Sequence, residues 1–138
     1  MPISRRRTMA LGAAAAVMGP RAVLANRAQD AIAAFTEGAP PVAGTALILT
    51  LPKIAENGFT VPIAVAAPGA TAIMVIAPEN PNPEVVTFTF GPLAGAQEAA
   101  TRIRLARTQE VIAIARMQDG TYQQVSRTVE VTIGGCGA

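Results

Sequence analysis

Val111-Ile112-Ala113-Ile114-Ala115, then Asp119-Gly120, then the run from Tyr122 to Ile133 decide the fold. The first five residues are apolar without interruption, which suits a strand covered on both faces at the centre of a sheet. Asp119-Gly120 is a hairpin turn pair, because glycine reaches the positive φ that a tight turn demands. Tyr122 to Ile133 is then the last strand, and alternation points Val129, Val131 and Ile133 inward. A domain that closes on such a hairpin is built from sheets.

Upstream the chain keeps the same rhythm. Thr45 to Leu51 reads as a strand stopped by Pro52, and Asn57-Gly58 is a strong turn signal. Phe59 to Ala66 follows, with Val61, Ile63 and Val65 on one face. Pro62 has no N–H to donate, so this strand has an unpaired side or a bulge. Pro68-Gly69 turns the chain into the short apolar strand Ala72 to Ile76. Asn80-Pro81-Asn82-Pro83 is a rigid loop. Val85 to Phe90 sets Val86, Phe88 and Phe90 against Thr87 and Thr89. Beyond the Gly91-Pro92 and Gly95 loop, Ala99 to Ala106 alternates Ile103 and Leu105 with Arg102 and Arg104. One helix is expected, Asn26 to Phe35, where Ala28, Ala31, Ile32 and Phe35 share a face and Gly38-Ala39-Pro40-Pro41 ends the element.

Many short, turn-punctuated strands predict an all-β fold, an antiparallel β-sandwich of immunoglobulin-like topology with a short N-terminal helix. Paired cysteines and a core tryptophan are missing, so that likeness is architectural. A small sandwich has edge strands that need protection, and a β-partner is one way to supply it.

Residues 1–25 read as an export signal. Ser4-Arg5-Arg6-Arg7-Thr8-Met9 is a charged start of the twin-arginine kind, Met9 to Met18 is a short alanine-rich apolar run, and Val23-Leu24-Ala25 offers small residues for cleavage. The run is shorter than the roughly 20 residues that span a bilayer. The domain is then 26–133, and a periplasmic, membrane-free product of the twin-arginine route is expected. Losing Arg5, Arg6, Arg7 and Arg21 takes eleven basic residues to seven against nine acidic ones, a net of −2. A mildly acidic domain with 4% aromatic residues and no tryptophan has neither the basic stripe nor the stacking platform of a nucleic-acid binder.

The C-terminus reads Gly134-Gly135-Cys136-Gly137-Ala138 and holds the single cysteine of the sequence. Two readings stand. Cys136 is an incidental thiol or an intermolecular disulfide partner, or it is the working group of a thin carrier arm, residues 134–138. The glycines favour the arm: Gly134, Gly135 and Gly137 add backbone freedom and no bulk, so a thiol there enters a narrow cleft. From Ile133 to Cys136 an extended arm spans roughly 10 Å.

The sequence contains no histidine, which removes Cys-His and Ser-His-Asp catalysis and most zinc and haem sites. No charged residue lies beside Cys136 to lower its pKa below the free value of about 8.5, and no base is at hand to activate it. The thiol therefore reads as a passenger seat: no catalytic residue, metal ligand or cofactor is expected in this chain. Arg102, Arg104 and Arg107 read as the solvated face of a strand, with steering of an anionic group as the sharper alternative. Glu79, Glu84 and Glu98 form no paired-carboxylate arrangement.

The ending Val131-Thr132-Ile133-Gly134-Gly135-Cys136-Gly137, behind a twin-arginine-like start and a β-rich domain, resembles the SoxY family, the sulfur-carrier subunits of the bacterial Sox thiosulfate-oxidising system. The resemblance extends through Pro52-Lys53-Ile54-Ala55-Glu56-Asn57-Gly58, Asn80-Pro81-Asn82-Pro83, Thr101-Arg102-Ile103-Arg104-Leu105-Ala106 and Met117-Gln118-Asp119-Gly120. It implies covalent attachment of sulfur intermediates at Cys136 and a stable heterodimer with a SoxZ-like subunit. It also implies transient docking to a haem-containing cytochrome complex that couples thiosulfate to the thiol, to a sulfate-releasing hydrolase and to a sulfane dehydrogenase. The cofactors belong to those enzymes. The family commonly ends in Gly-Gly-Cys-Gly-Gly, whereas this chain ends in Ala138. The competing reading is an exported β-sandwich adaptor that uses Cys136 for a mixed disulfide without turnover.

Overall fold

The computed structural model describes residues 20–135; the expected leader up to residue 19 lies outside them. One helix, α1 (Pro20–Thr36), precedes nine strands: β1 (Val42–Ala43), β2 (Ile48–Thr50), β3 (Ile54–Asn57), β4 (Val61–Ala66), β5 (Ala70–Ile76), β6 (Glu84–Thr89), β7 (Glu98–Ile103), β8 (Gln109–Met117) and β9 (Tyr122–Ile133). They form two sheets. The larger runs β1-β9-β8-β5-β6, with β3 also paired to β9, and the smaller runs β2-β4-β7. The pairings are antiparallel except for β1 and β3, which both run parallel to β9.

The core lies between the sheets. Leu49, Val61, Ile63 and Val65 from the smaller sheet and its approaches face Ile73, Val75, Val111, Ala113 and Val129 from the larger. Side chains of this size contribute about 1.5–3 kcal/mol each when fully buried. β8, the uninterrupted apolar run, sits between β5 and β9 at the centre of the larger sheet, as its composition predicts. The hairpin after it closes through Gly120, at φ 84, while the Met117 amide donates to Thr121 O at 2.8 Å.

The helix begins at Pro20, not at the expected Asn26. Proline at a first helical position forgoes no hydrogen bond and is already set to a helical φ. The element therefore runs across the expected boundary at residue 25. Ala28, Ala31, Ile32 and Phe35 pack on the outer face of the larger sheet against Met74, Ile76, Ile114 and Tyr122. The helix ends where Glu37 and Gly38 take φ values of 54 and 81, a left-handed stop. Arg116 of β8 binds this end: its Cζ lies 4.7 Å from the Phe35 ring centroid and its Nη2 donates to Phe35 O at 2.9 Å.

Three expectations change. The strand read from Thr45 to Leu51 shortens to Ile48–Thr50, because the side-chain carbonyl of Gln123 takes the amides of Thr45, Ala46 and Leu47 at 3.2, 3.0 and 3.2 Å and bends the approach. β3 is a strand in a segment read as a connection. Ile133, expected inward, is 62% exposed. β8 begins at Gln109, opposite Val129, so the last residues of β9 extend beyond that pairing. Pro62 keeps its unpaired side: β2 ends at Thr50 opposite Ala64, and only β7 lies beside Pro62, at Arg102.

Candidate functional site: the root of the C-terminal arm

The last third of β9 leaves its antiparallel neighbour and acquires new partners. On one side β3 pairs with it in parallel, Ile54 to Glu130, Ala55 to Val131 and Asn57 to Ile133. On the other, the Val131 amide donates to Thr108 Oγ1 at 2.9 Å. Here a side-chain hydroxyl takes the strand amide at a position beyond the β8 pairing.

Beyond Ile133 the chain is held by backbone groups. Gly58 N donates to Ile133 O at 2.6 Å, Leu105 N to Gly58 O at 2.8 Å, and Gly135 N to Leu105 O at 2.9 Å. Gly58 and Gly135 are buried and Gly134 is half-buried. Side chains have no room in this crossing. A Cβ on Gly58 would land on Leu105 O and stand 2.8 Å from both Gly135 N and Ile133 O; on Gly134 it would land on Ala106 O; on Gly135 it would stand 2.8 Å from Gly58 O. None of the three has a positive φ, which among the described glycines belongs to Gly38, Gly69 and Gly120. Close approach of backbone to backbone, not conformational freedom, is what excludes a side chain at these positions.

The receiving segment, Arg104 to Arg107, is itself fixed from beneath. Asn80 is 2% exposed. Its Nδ2 donates to Arg104 O at 2.7 Å, while its Oδ1 accepts from Ala106 N at 2.9 Å and Gln109 Nε2 at 2.9 Å. Gln109 Nε2 also donates to Arg107 O at 3.2 Å, and its Oε1 accepts from Glu79 N at 3.0 Å. Two buried amide side chains thus stand in for a strand, and no buried side-chain nitrogen or oxygen among the described residues lacks a partner. Leu105 is fully buried.

Of the residues assigned to the arm, Cys136, Gly137 and Ala138 lie outside the described residues. Gly134 and Gly135, read from the sequence as giving the arm its flexibility, are described: Gly134 is half-buried, and Gly135 is buried with its amide donating to Leu105 O, so backbone bonding reaches the residue before the cysteine. Arg104 and Arg107 are exposed on either side of the receiving pair Leu105-Ala106, and Arg102 Nη1 donates to Thr60 Oγ1 at 3.5 Å. The described residues contain no cluster of three or more His, Cys, Asp or Glu side chains that could hold a metal ion, and no helix among them is long and apolar enough to cross a membrane.

Sequence reasoning misses Gly58, Thr108, Asn80 and Gln109 as builders of this site. Yet three of the segments that carry the resemblance, Pro52–Gly58, Asn80–Pro83 and Thr101–Ala106, come from distant parts of the chain and meet at the arm's root.

Comparison with known proteins agrees with that convergence. Residues 32–136 match the family described as "Sulfur oxidation protein SoxY". Among solved structures, the chain is similar to the sulfur carrier protein SoxY from Chlorobium limicola f thiosulfatophilum, at 38% identity and a TM-score of 0.67, over 79% of this chain and 99% of that one. It is also similar to a superoxide reductase (neelaredoxin) from Ignicoccus hospitalis, at 12% identity and a TM-score of 0.55, over 62% of this chain and 80% of that one; identity so low speaks for the fold alone. No curated protein matches the chain.

Proposed function

This chain belongs to the SoxY family, and we propose from that premise that it is an exported sulfur carrier. It holds thiosulfate-derived sulfur covalently on Cys136 and presents it to the enzymes of a Sox system, itself catalysing no step. The observation that carries the reading is that the family match ends at Cys136, the one cysteine of a chain without histidine, immediately after a backbone anchor.

The chemistry follows from the thiol. The Cys136 thiolate and the sulfane sulfur of thiosulfate form a sulfur–sulfur bond as one electron pair leaves to an external oxidant, the haem-containing cytochrome complex. Hydrolysis of the resulting Cys–S–S–SO3⁻ by a separate hydrolase takes oxygen from water and releases sulfate, leaving a persulfide. A sulfane dehydrogenase, where the host has one, oxidises that remaining sulfur. Each redox and hydrolytic centre resides in a partner, so this chain has to offer a thiol at an edge that several active sites can approach. A SoxZ-like subunit is the proposed stable partner, and the periplasm, reached by the twin-arginine route, the proposed compartment.

The test is loading. Protein mixed with a periplasmic fraction and radiolabelled thiosulfate acquires label that survives a non-reducing gel, is released by dithiothreitol, and is absent in Cys136→Ser. Label absent from the wild-type chain, with Cys136 recovered only in a protein-sized mixed disulfide, supports the adaptor reading instead. Turnover of thiosulfate by the pure chain would refute the carrier.

A further inference from the structure

Gly58 and Gly135, from distant parts of the chain, form one backbone clasp with Leu105 and Ile133. Gly58 stands at the centre: its amide donates to Ile133 O at 2.6 Å and its carbonyl accepts from Leu105 N at 2.8 Å, while Leu105 O accepts from Gly135 N at 2.9 Å. Gly58 looks like a turn glycine after β3, and Thr60 N does donate back to Asn57 O at 3.3 Å. The turn does not need it, because β3 and β4 belong to different pairings and the φ of Gly58 is not positive. What needs it is the crossing of Leu105 and Gly135, for which a Cβ leaves no space.

We propose that Gly58 is a positioning residue for Cys136. By admitting Leu105 O and Gly135 N to van der Waals distance of its own backbone, it fixes the root of the arm one peptide before the thiol. The backbone anchor thus extends to Gly135, the residue bonded to Cys136, and does not stop at Ile133. Enzymes that use the thiol must come to the edge of the sandwich, against the Asn57–Thr60 turn and the Arg104–Arg107 segment. The inference rests on the carrier reading for its purpose, and on the clasp alone for its geometry.

The test follows amide exchange by NMR in the full-length chain and in Gly58→Ala, with Gly135→Ala as the reciprocal variant. A nitroxide on Cys136, which labels uniquely because the sequence holds one cysteine, gives a second signal. In the wild type the Gly135 amide exchanges at least about tenfold more slowly than in an unfolded chain. In either variant that protection falls by about tenfold or more and the nitroxide spectrum narrows, while amides in β5 and β8 keep their protection. A Gly135 amide that exchanges at the free-chain rate in the wild type overturns the proposal, whether or not the variants fold. So does a folded Gly58→Ala with Gly135 still protected and the nitroxide spectrum unchanged. None of these signals depends on sulfur, so failure of the carrier reading appears separately, as an absence of sulfur adducts on a chain whose clasp is intact.

Discussion

The amide of Gly135 donates to the carbonyl of Leu105 at 2.9 Å, and this bond ties the residue before the only cysteine to a buried leucine. Leu105 is placed by its own amide bond to Gly58 and by the Asn80 side chain, which binds the neighbouring Arg104 and Ala106. The residue before the cysteine is thus tied by hydrogen bonds to a buried part of the fold.

Gly134→Ala tests whether the root is docked. Its Cβ would fall on Ala106 O, a backbone atom that cannot swing aside. The expected result is a loss of about 1–3 kcal/mol of stability, read as a lower urea midpoint. A hinge glycine would accept alanine with no such loss.

Asn80→Ala removes three side-chain bonds at once and leaves Ala106 N, Gln109 Nε2 and Arg104 O to find other partners. Unsatisfied buried groups cost about 1–3 kcal/mol each, with relaxation recovering part of the sum. A destabilisation of about 3 kcal/mol in urea unfolding is predicted, with exchange of the Gly135 amide rising in the same variant.

Arg116→Ala removes the cation over Phe35 and the bond to Phe35 O. The expected cost is about 1–2 kcal/mol. It should be concentrated in α1, whose amides exchange faster while those of β8 and β9 hold.

Asp119 supplies a pH-dependent test of the β8–β9 hairpin. The hydroxyl of Thr121 donates to its Oδ1 at 2.6 Å and the Thr121 amide does so at 3.0 Å, and these bonds hold its pKa below the ordinary 3.8, the hydroxyl contributing most. A carboxylate depressed in the folded state contributes its stability above that ordinary value and loses it as pH falls through the folded pKa. Thr121→Val should therefore raise the Asp119 pKa toward 3.8 in an NMR titration, and the difference in stability between the two proteins should shrink as the pH falls below that point.

The parts of the fold that the sequence discloses are those with local signals. The apolar run Val111–Ala115 and the Asp119-Gly120 pair give β8, β9 and the turn between them, and the spacing of Ala28, Ala31, Ile32 and Phe35 gives the helix face that packs on the sheet. β3 escapes because Ile54-Ala55-Glu56-Asn57 has no alternation, and its parallel partner, Glu130 to Ile133, lies far along the chain. The approach to β2 escapes because a glutamine carbonyl, not a strand, takes its amides. At the site, Cys136 stands out by its isolation among glycines. The roles of Gly58, Gly134 and Gly135 do not, since a glycine kept for freedom and one kept for close approach are written with the same letter.

The central claim, that Cys136 carries sulfur, is met most directly by the intact mass of the native protein isolated from its host during growth on thiosulfate, with and without reductant. The account predicts sulfur-sized or thiosulfonate-sized additions that reductant removes and that Cys136→Ser lacks. A single unmodified mass, or only a protein-sized disulfide adduct, would contradict it.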